Sequence, residues 1–108
     1  MSKELILGEA AYLLLLARRA LNFAKEAKER GEEYHDLTPF TRLQCGLKAR
    51  LHFVEQLNGA APVVELVCTA HTHSPAEMQD IAGEIAGVPM ILSECKIADR
   101  FTFTRKIP

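Results

Sequence analysis

The feature that most constrains this chain is its first thirty residues. From Lys3 to Arg30 the sequence is dominated by Ala, Leu, Glu, Lys and Arg, all strong helix formers. Leu7, Ala10, Leu14, Ala17, Leu21 and Ala24 advance by alternate threes and fours, and Ile6, Leu13, Ala20 and Ala27 form a second row beside them. That is the spacing of one broad helical stripe. Gly31, following Lys28 and Arg30, reads as the C-terminal stop. At 1.5 Å per residue the helix would run about 40 Å, as long as a domain of this size is wide. Between Ala10 and Ala17 only Tyr12 carries a polar side-chain atom, so this part needs cover on more than one side. A neighbouring helix and a sheet can supply it, and so can a second subunit. A homo-oligomer is therefore expected, a dimer first because closed two-fold assemblies are the commonest. Leu7, Ala10, Leu14, Ala17 and Leu21 are its expected interface residues.

The stretch "DLTPF" frames a second helix, with Thr38 as the cap and Pro39 at the first position. Phe40, Leu43, Leu47, Leu51 and Val54 would form its apolar face, and Asn58-Gly59 its end. Beyond it the period changes. "VVELVCTA" is β-branched and apolar, the composition of a buried strand. "SPAEMQDIAGEIAG" then reads as a third helix, capped by Ser74, opened by Pro75 and closed into a capping box by Glu77. Met78, Ile81, Ala82 and Ile85 are its inward face, and Gly87 stops it. "VPMILSEC" reads as a second buried strand. "RFTFTRK" alternates phenylalanine with threonine like a half-exposed edge strand, joined to its predecessor by the short "KIAD". The expected architecture is one α+β domain over 1–108. An α-helical hairpin (1–59) precedes a β-α-β-β half (60–108). The sheet is small, mixed and three-stranded, with its first two strands parallel and the helices mainly on one face.

Composition narrows the function. With 48% hydrophobic and 25% charged residues the chain reads as a globule rather than a disordered segment. Its net charge of −1 supplies no global basic field, which argues against a nucleic-acid partner. Cys45, Cys68 and Cys95 are odd in number and far apart, the pattern of free thiols in a reducing cytoplasm. The most apolar run, "AAYLLLLA", is too short to span a bilayer and has no basic leader. The expected location is thus cytoplasmic, with no membrane partner.

His71 and His73 stand in the link between the first strand and the third helix. Parallel strands would bring Ser93, Glu94 and Cys95 to the same sheet edge as Cys68, His71 and His73, where ligands of open sheets gather. Imidazole, carboxylate and thiolate together suit zinc, with His71 and His73 as metal ligands. They equally suit a thiol nucleophile activated by a histidine. A small metal- or thiol-dependent enzyme is accordingly one alternative, with His71, His73, Glu94 and Cys95 as its site. Another is an anionic-ligand sensor using Ser74 and the amides of Ala76 and Glu77. Against both, His-x-His is not a complete metal signature, and a cysteine inside an apolar strand ordinarily behaves as a small hydrophobe. His35 reads as a loop residue, and Cys45 and His52 as a second packing face of the second helix. Two basic groups stand apart in the sequence: Arg42, Lys48 and Arg50, and Lys96, Arg100, Arg105 and Lys106. Phe101 and Phe103 alternate with Arg105 on the final strand, which leaves nucleic-acid binding as an alternative there, but an edge strand that resists aggregation is the expected account of the second group. The expectation that follows is a small non-enzymatic binding or regulatory protein acting through oligomeric and partner-protein surfaces.

Overall fold

In the computed structural model, residues 3–33, 38–56, 59–68, 72–96 and 99–106 are described, apart from the side chains of 3–7, 55–56 and 96. Helix α1 spans Lys3–Glu29. It ends as Gly31 suggested: Gly31 takes a left-handed φ of 73°, its N–H donates to Lys28 O and that of Glu32 to Ala27 O. These two bonds are a Schellman cap, which a residue with a Cβ would strain. Ala10, Leu13, Ala17, Ala20 and Ala27 form the buried stripe of α1, all below 8% exposure. The alanines let neighbouring elements approach the helix axis closely.

Helix α2, Pro75–Ala86, also has the predicted form. Ser74 Oγ accepts the Glu77 amide hydrogen at 3.2 Å, Gly87 closes the C-terminus at φ 73°, and Met78, Ile81, Ala82 and Ile85 are buried. The Glu77 carboxylate accepts from the Ser74 hydroxyl at 3.3 Å.

The expected second helix is not formed. In its place stand strands β1 (Thr41–Arg42) and β2 (Lys48–Gln56). The Leu43 N–H donates to Leu47 O (2.7 Å) and the Gly46 N–H to Leu43 O (3.0 Å), with Gly46 at a φ of 91°. A four-residue turn whose last residue is a left-handed glycine is a favoured hairpin connection, and it breaks any helix running through Gly46. Glu9 Oε1 accepts the Gln44 amide hydrogen (2.6 Å) and ties α1 to this turn. The helical-hairpin half of the expected architecture is therefore replaced by one long helix and the first strands of the sheet.

Strands β3 (Gly59–Val67), β4 (Met90–Lys96) and β5 (Arg100–Arg105) complete a five-stranded sheet in the order β1-β2-β3-β5-β4. Every pairing is antiparallel, so the three-stranded mixed sheet of the sequence reading is corrected to five antiparallel strands. β3 and β4 do run in the same direction, yet β5 lies between them and they form no parallel ladder. The last strand is consequently interior rather than an edge. The β4–β5 hairpin holds as expected, with a bulge between Leu92 and Glu94.

Cross-strand partners share a face of a sheet. Ala49 with Leu66, Leu51 with Val64, and Val64 with Phe103 therefore define one face. All of them belong to a single core with Leu13, Ala17, Met78, Ala82 and Ile85, which puts both helices on that side. Among the described residues, no helix is long and apolar enough to cross a membrane.

Candidate functional site

The edge where β3 and β4 end brings together part of the expected cluster. Cys68 directly follows β3, and its N–H donates to Asp99 O at 3.1 Å. His73, just before the α2 cap, brings Nδ1 to 3.9 Å from Cys68 Sγ and 3.0 Å from Thr72 Oγ1. The other members are placed differently. Cys95 lies opposite Phe101, and Phe101 opposite Leu66, so two strand spacings, about 10 Å, separate Cys95 from the end of β3. Glu94 lies opposite Thr102 and therefore on the other face of the sheet. His71 and His35 lie outside the described residues. Among the described residues, no three His, Cys, Asp or Glu side chains converge as a metal site would need.

Chemically, the Cys68–His73 contact is a thiol beside an imidazole. Cys68 is only 4% exposed and belongs to the hydrophobic core, so its sulfur packs against apolar neighbours. At the start of α2, the Glu77 amide is already taken by Ser74 Oγ, and the acidic Glu77 side chain occupies the same turn. An incoming anion would meet a carboxylate there. An open groove of about 490 Å³ beside α2 is lined by Gln79, Asp80, Glu84, Val88, Pro89 and Lys106, with neither cysteine nor histidine among the described residues of its walls.

The outer surface of α1 is a stronger feature. Tyr12, Leu15 and Phe23 are 52%, 55% and 54% exposed. Tyr12, Leu16, Arg19 and Phe23 step by four, three and four along the helix, and Leu15 flanks them, so they share one side. This is not the expected interface stripe. Ala10 and Ala17 are buried within the protomer, Leu14 packs on the same core, and Leu21 is half-buried. The Leu7 side chain lies outside the described residues. The sequence signal for the outer side was the near absence of polar atoms between Ala10 and Ala17. Leu14 and Leu13 fall in the two rows of the expected stripe, and Leu15 and Leu16 in neither.

The sheet face away from the helices carries a different chemistry. Arg50 Nε donates to Glu65 Oε2 at 2.6 Å, its Nη2 pairs with the same oxygen, and Glu65 is 7% exposed. The Phe40 ring lies 4.6 Å from the Arg50 guanidinium carbon and 5.1 Å from that of Arg100. Sequence reading took Phe40 for a helical core residue and kept Arg50 and Arg100 in separate groups. Comparison with protein-family models, with curated proteins and with solved structures finds no match to this chain.

Proposed function

We propose that this chain is a small non-enzymatic binding or regulatory protein that works as a homodimer through the outer side of α1. The observation that carries the reading is the exposure of Tyr12 and Leu15, each more than half open on a helix whose opposite stripe is already satisfied by the protomer's own core. Large aromatic and aliphatic side chains clustered on one side of a helix are what an interface core is made of. A two-fold partner presents the same side back, so one patch serves both halves.

Solution mass tests this directly. Leu15 is exposed in the protomer, so Leu15→Asp leaves the core intact while placing a charge in the interface. The wild-type chain is expected to sediment at twice the protomer mass, and the variant at the protomer mass with an unchanged far-ultraviolet circular dichroism spectrum. A wild-type monomer at all accessible concentrations would sink the reading.

A further inference from the structure

Two basic groups some fifty residues apart in the sequence form one line in the fold. Arg42 pairs with Lys48, Lys48 with Val67, Val67 with Arg100, and Arg100 with Lys96. This register row crosses all five strands, and four of its five positions are Lys or Arg. It lies two residues along the strands from Arg50 and Glu65, on the face away from the helices. Arg42 and Lys48 are exposed and Arg100 is half-buried. Among the described residues none of these three forms an ion pair; the Arg50–Glu65 pair is satisfied within itself.

Like charges directly opposite across a strand pair oppose folding. The row holds such a pair in Arg42 and Lys48. Protection of a sheet edge explains charge on edge strands, but Lys48 and Arg100 are on interior strands. Apart from the Arg100–Phe40 contact the fold gains nothing evident from the row, whereas an anion laid across it would remove the repulsion. From Arg42 on β1 to Arg100 on β5 is three strand spacings, about 14 Å. One phosphate cannot bridge that distance, while successive phosphates of an extended chain can. A single line of cations tracks a single backbone. Phe40, against both Arg50 and Arg100, holds the guanidinium groups over the face, and a guanidinium presents paired donors to a phosphate.

We infer that the face of the sheet away from the helices binds single-stranded nucleic acid through its phosphates, with Arg42, Lys48 and Arg100 as the contacting residues. The contacts are to the backbone, so binding is indifferent to base sequence. The inference concerns the opposite side of the molecule from α1 and stands whether or not the chain dimerises.

The test is fluorescence anisotropy of a labelled oligothymidylate of about 12 nucleotides, within the site sizes such surfaces cover, titrated at several salt concentrations. Three phosphate contacts predict that log K falls with log salt at a slope of about −2, roughly −0.7 per contact on a single strand. Arg42→Gln, Lys48→Gln and Arg100→Gln should each flatten the slope by about 0.7, and the triple variant should lose binding with no fall in melting temperature. Arg105→Gln, outside the row, should change nothing. Three results would each overturn the inference: no saturable binding at low salt, binding retained by the triple variant, or equal affinity for a duplex of the same length or for anionic phospholipid vesicles.

Discussion

Strands β2 and β3 give the two faces of the sheet from alternate residues of the same few turns of chain, and the faces differ in kind. Under the helices they contribute Ala49, Leu51, Val64 and Leu66, none above 1% exposure. On the reverse they contribute Lys48, Arg50 and Glu65, three charges of which only two neutralise each other. The first face is what burial of apolar area demands, and it supplies the driving force of folding. The second is tolerated by the fold rather than required by it. If that division is right, substitutions on the covered face act on stability alone, and those in the cationic row of the reverse face act weakly on stability and strongly on whatever binds there. The largest effect should come from Phe103, 1% exposed at the centre of β5. Phe103→Ala removes a ring from a closed core and should cost about 3–5 kcal/mol in urea unfolding. A cost below about 1 kcal/mol, the level of an exposed site, would show that the helices do not seal this face.

The same division explains how much of the molecule could be read from its sequence. Both helices were legible because each is specified locally. Ser74, Pro75, Glu77 and Gly87 mark the ends of α2, and the Ala/Leu stripe with Gly31 marks α1. The segment from Phe40 to Val54 was not legible, because it carries two periods at once. Leu43, Leu47, Leu51 and Val54 are spaced like a helix face, while Ala49, Leu51 and Phe53 alternate like a strand. What decides between them is non-local: Leu51 pairs with Val64 and Ala49 with Leu66, partners more than ten residues away. Context of that kind overrides local propensity. The cationic row was hidden for the same reason, since Arg42 and Arg100 become neighbours only once β5 is inserted beside β3. Of the expected site, Cys68 and His73 meet at one sheet edge, though not through the parallel pairing expected of the strands. Glu94 went to the other face, because the bulge after Leu92 and the intervening β5 set its register.

An intermediate effect is expected where the two faces come closest in character, at the Arg50–Glu65 pair. The Glu65 side chain is 9% exposed and that of Arg50 is 24% exposed, so the ion pair is partly shielded from water. Arg50→Met keeps an apolar stem of similar length but removes the guanidinium from over Phe40 and leaves the Glu65 carboxylate buried without a cation. The expected cost is about 1–3 kcal/mol, the penalty of an unsatisfied buried group. Adding Glu65→Gln to the same variant should recover part of it, because a neutral amide is cheaper to bury than a charge. A double variant no more stable than Arg50→Met would show that the arginine acts through Phe40 and not through the carboxylate.

The smallest effect is the most discriminating, because its sign is opposite to that of ordinary surface substitutions. Lys48 faces Arg42 directly across the β1–β2 ladder. Like charges in that position are worth roughly 0.2–1 kcal/mol against folding, so Lys48→Gln should raise stability by a few tenths of a kcal/mol. The gain should be largest at low ionic strength and fade as salt shortens the Debye length to about 3 Å near 1 M. Arg105→Gln, an exposed arginine opposite Met90 and off the row, is the matched control and should show no such gain. Urea unfolding of both variants at low and high salt makes the comparison. A stabilising Lys48→Gln would mean that the chain carries this cation at a cost to its own fold, as expected of a residue whose partner is another molecule. A destabilising one would make Lys48 part of the scaffold and erase the distinction between the two faces.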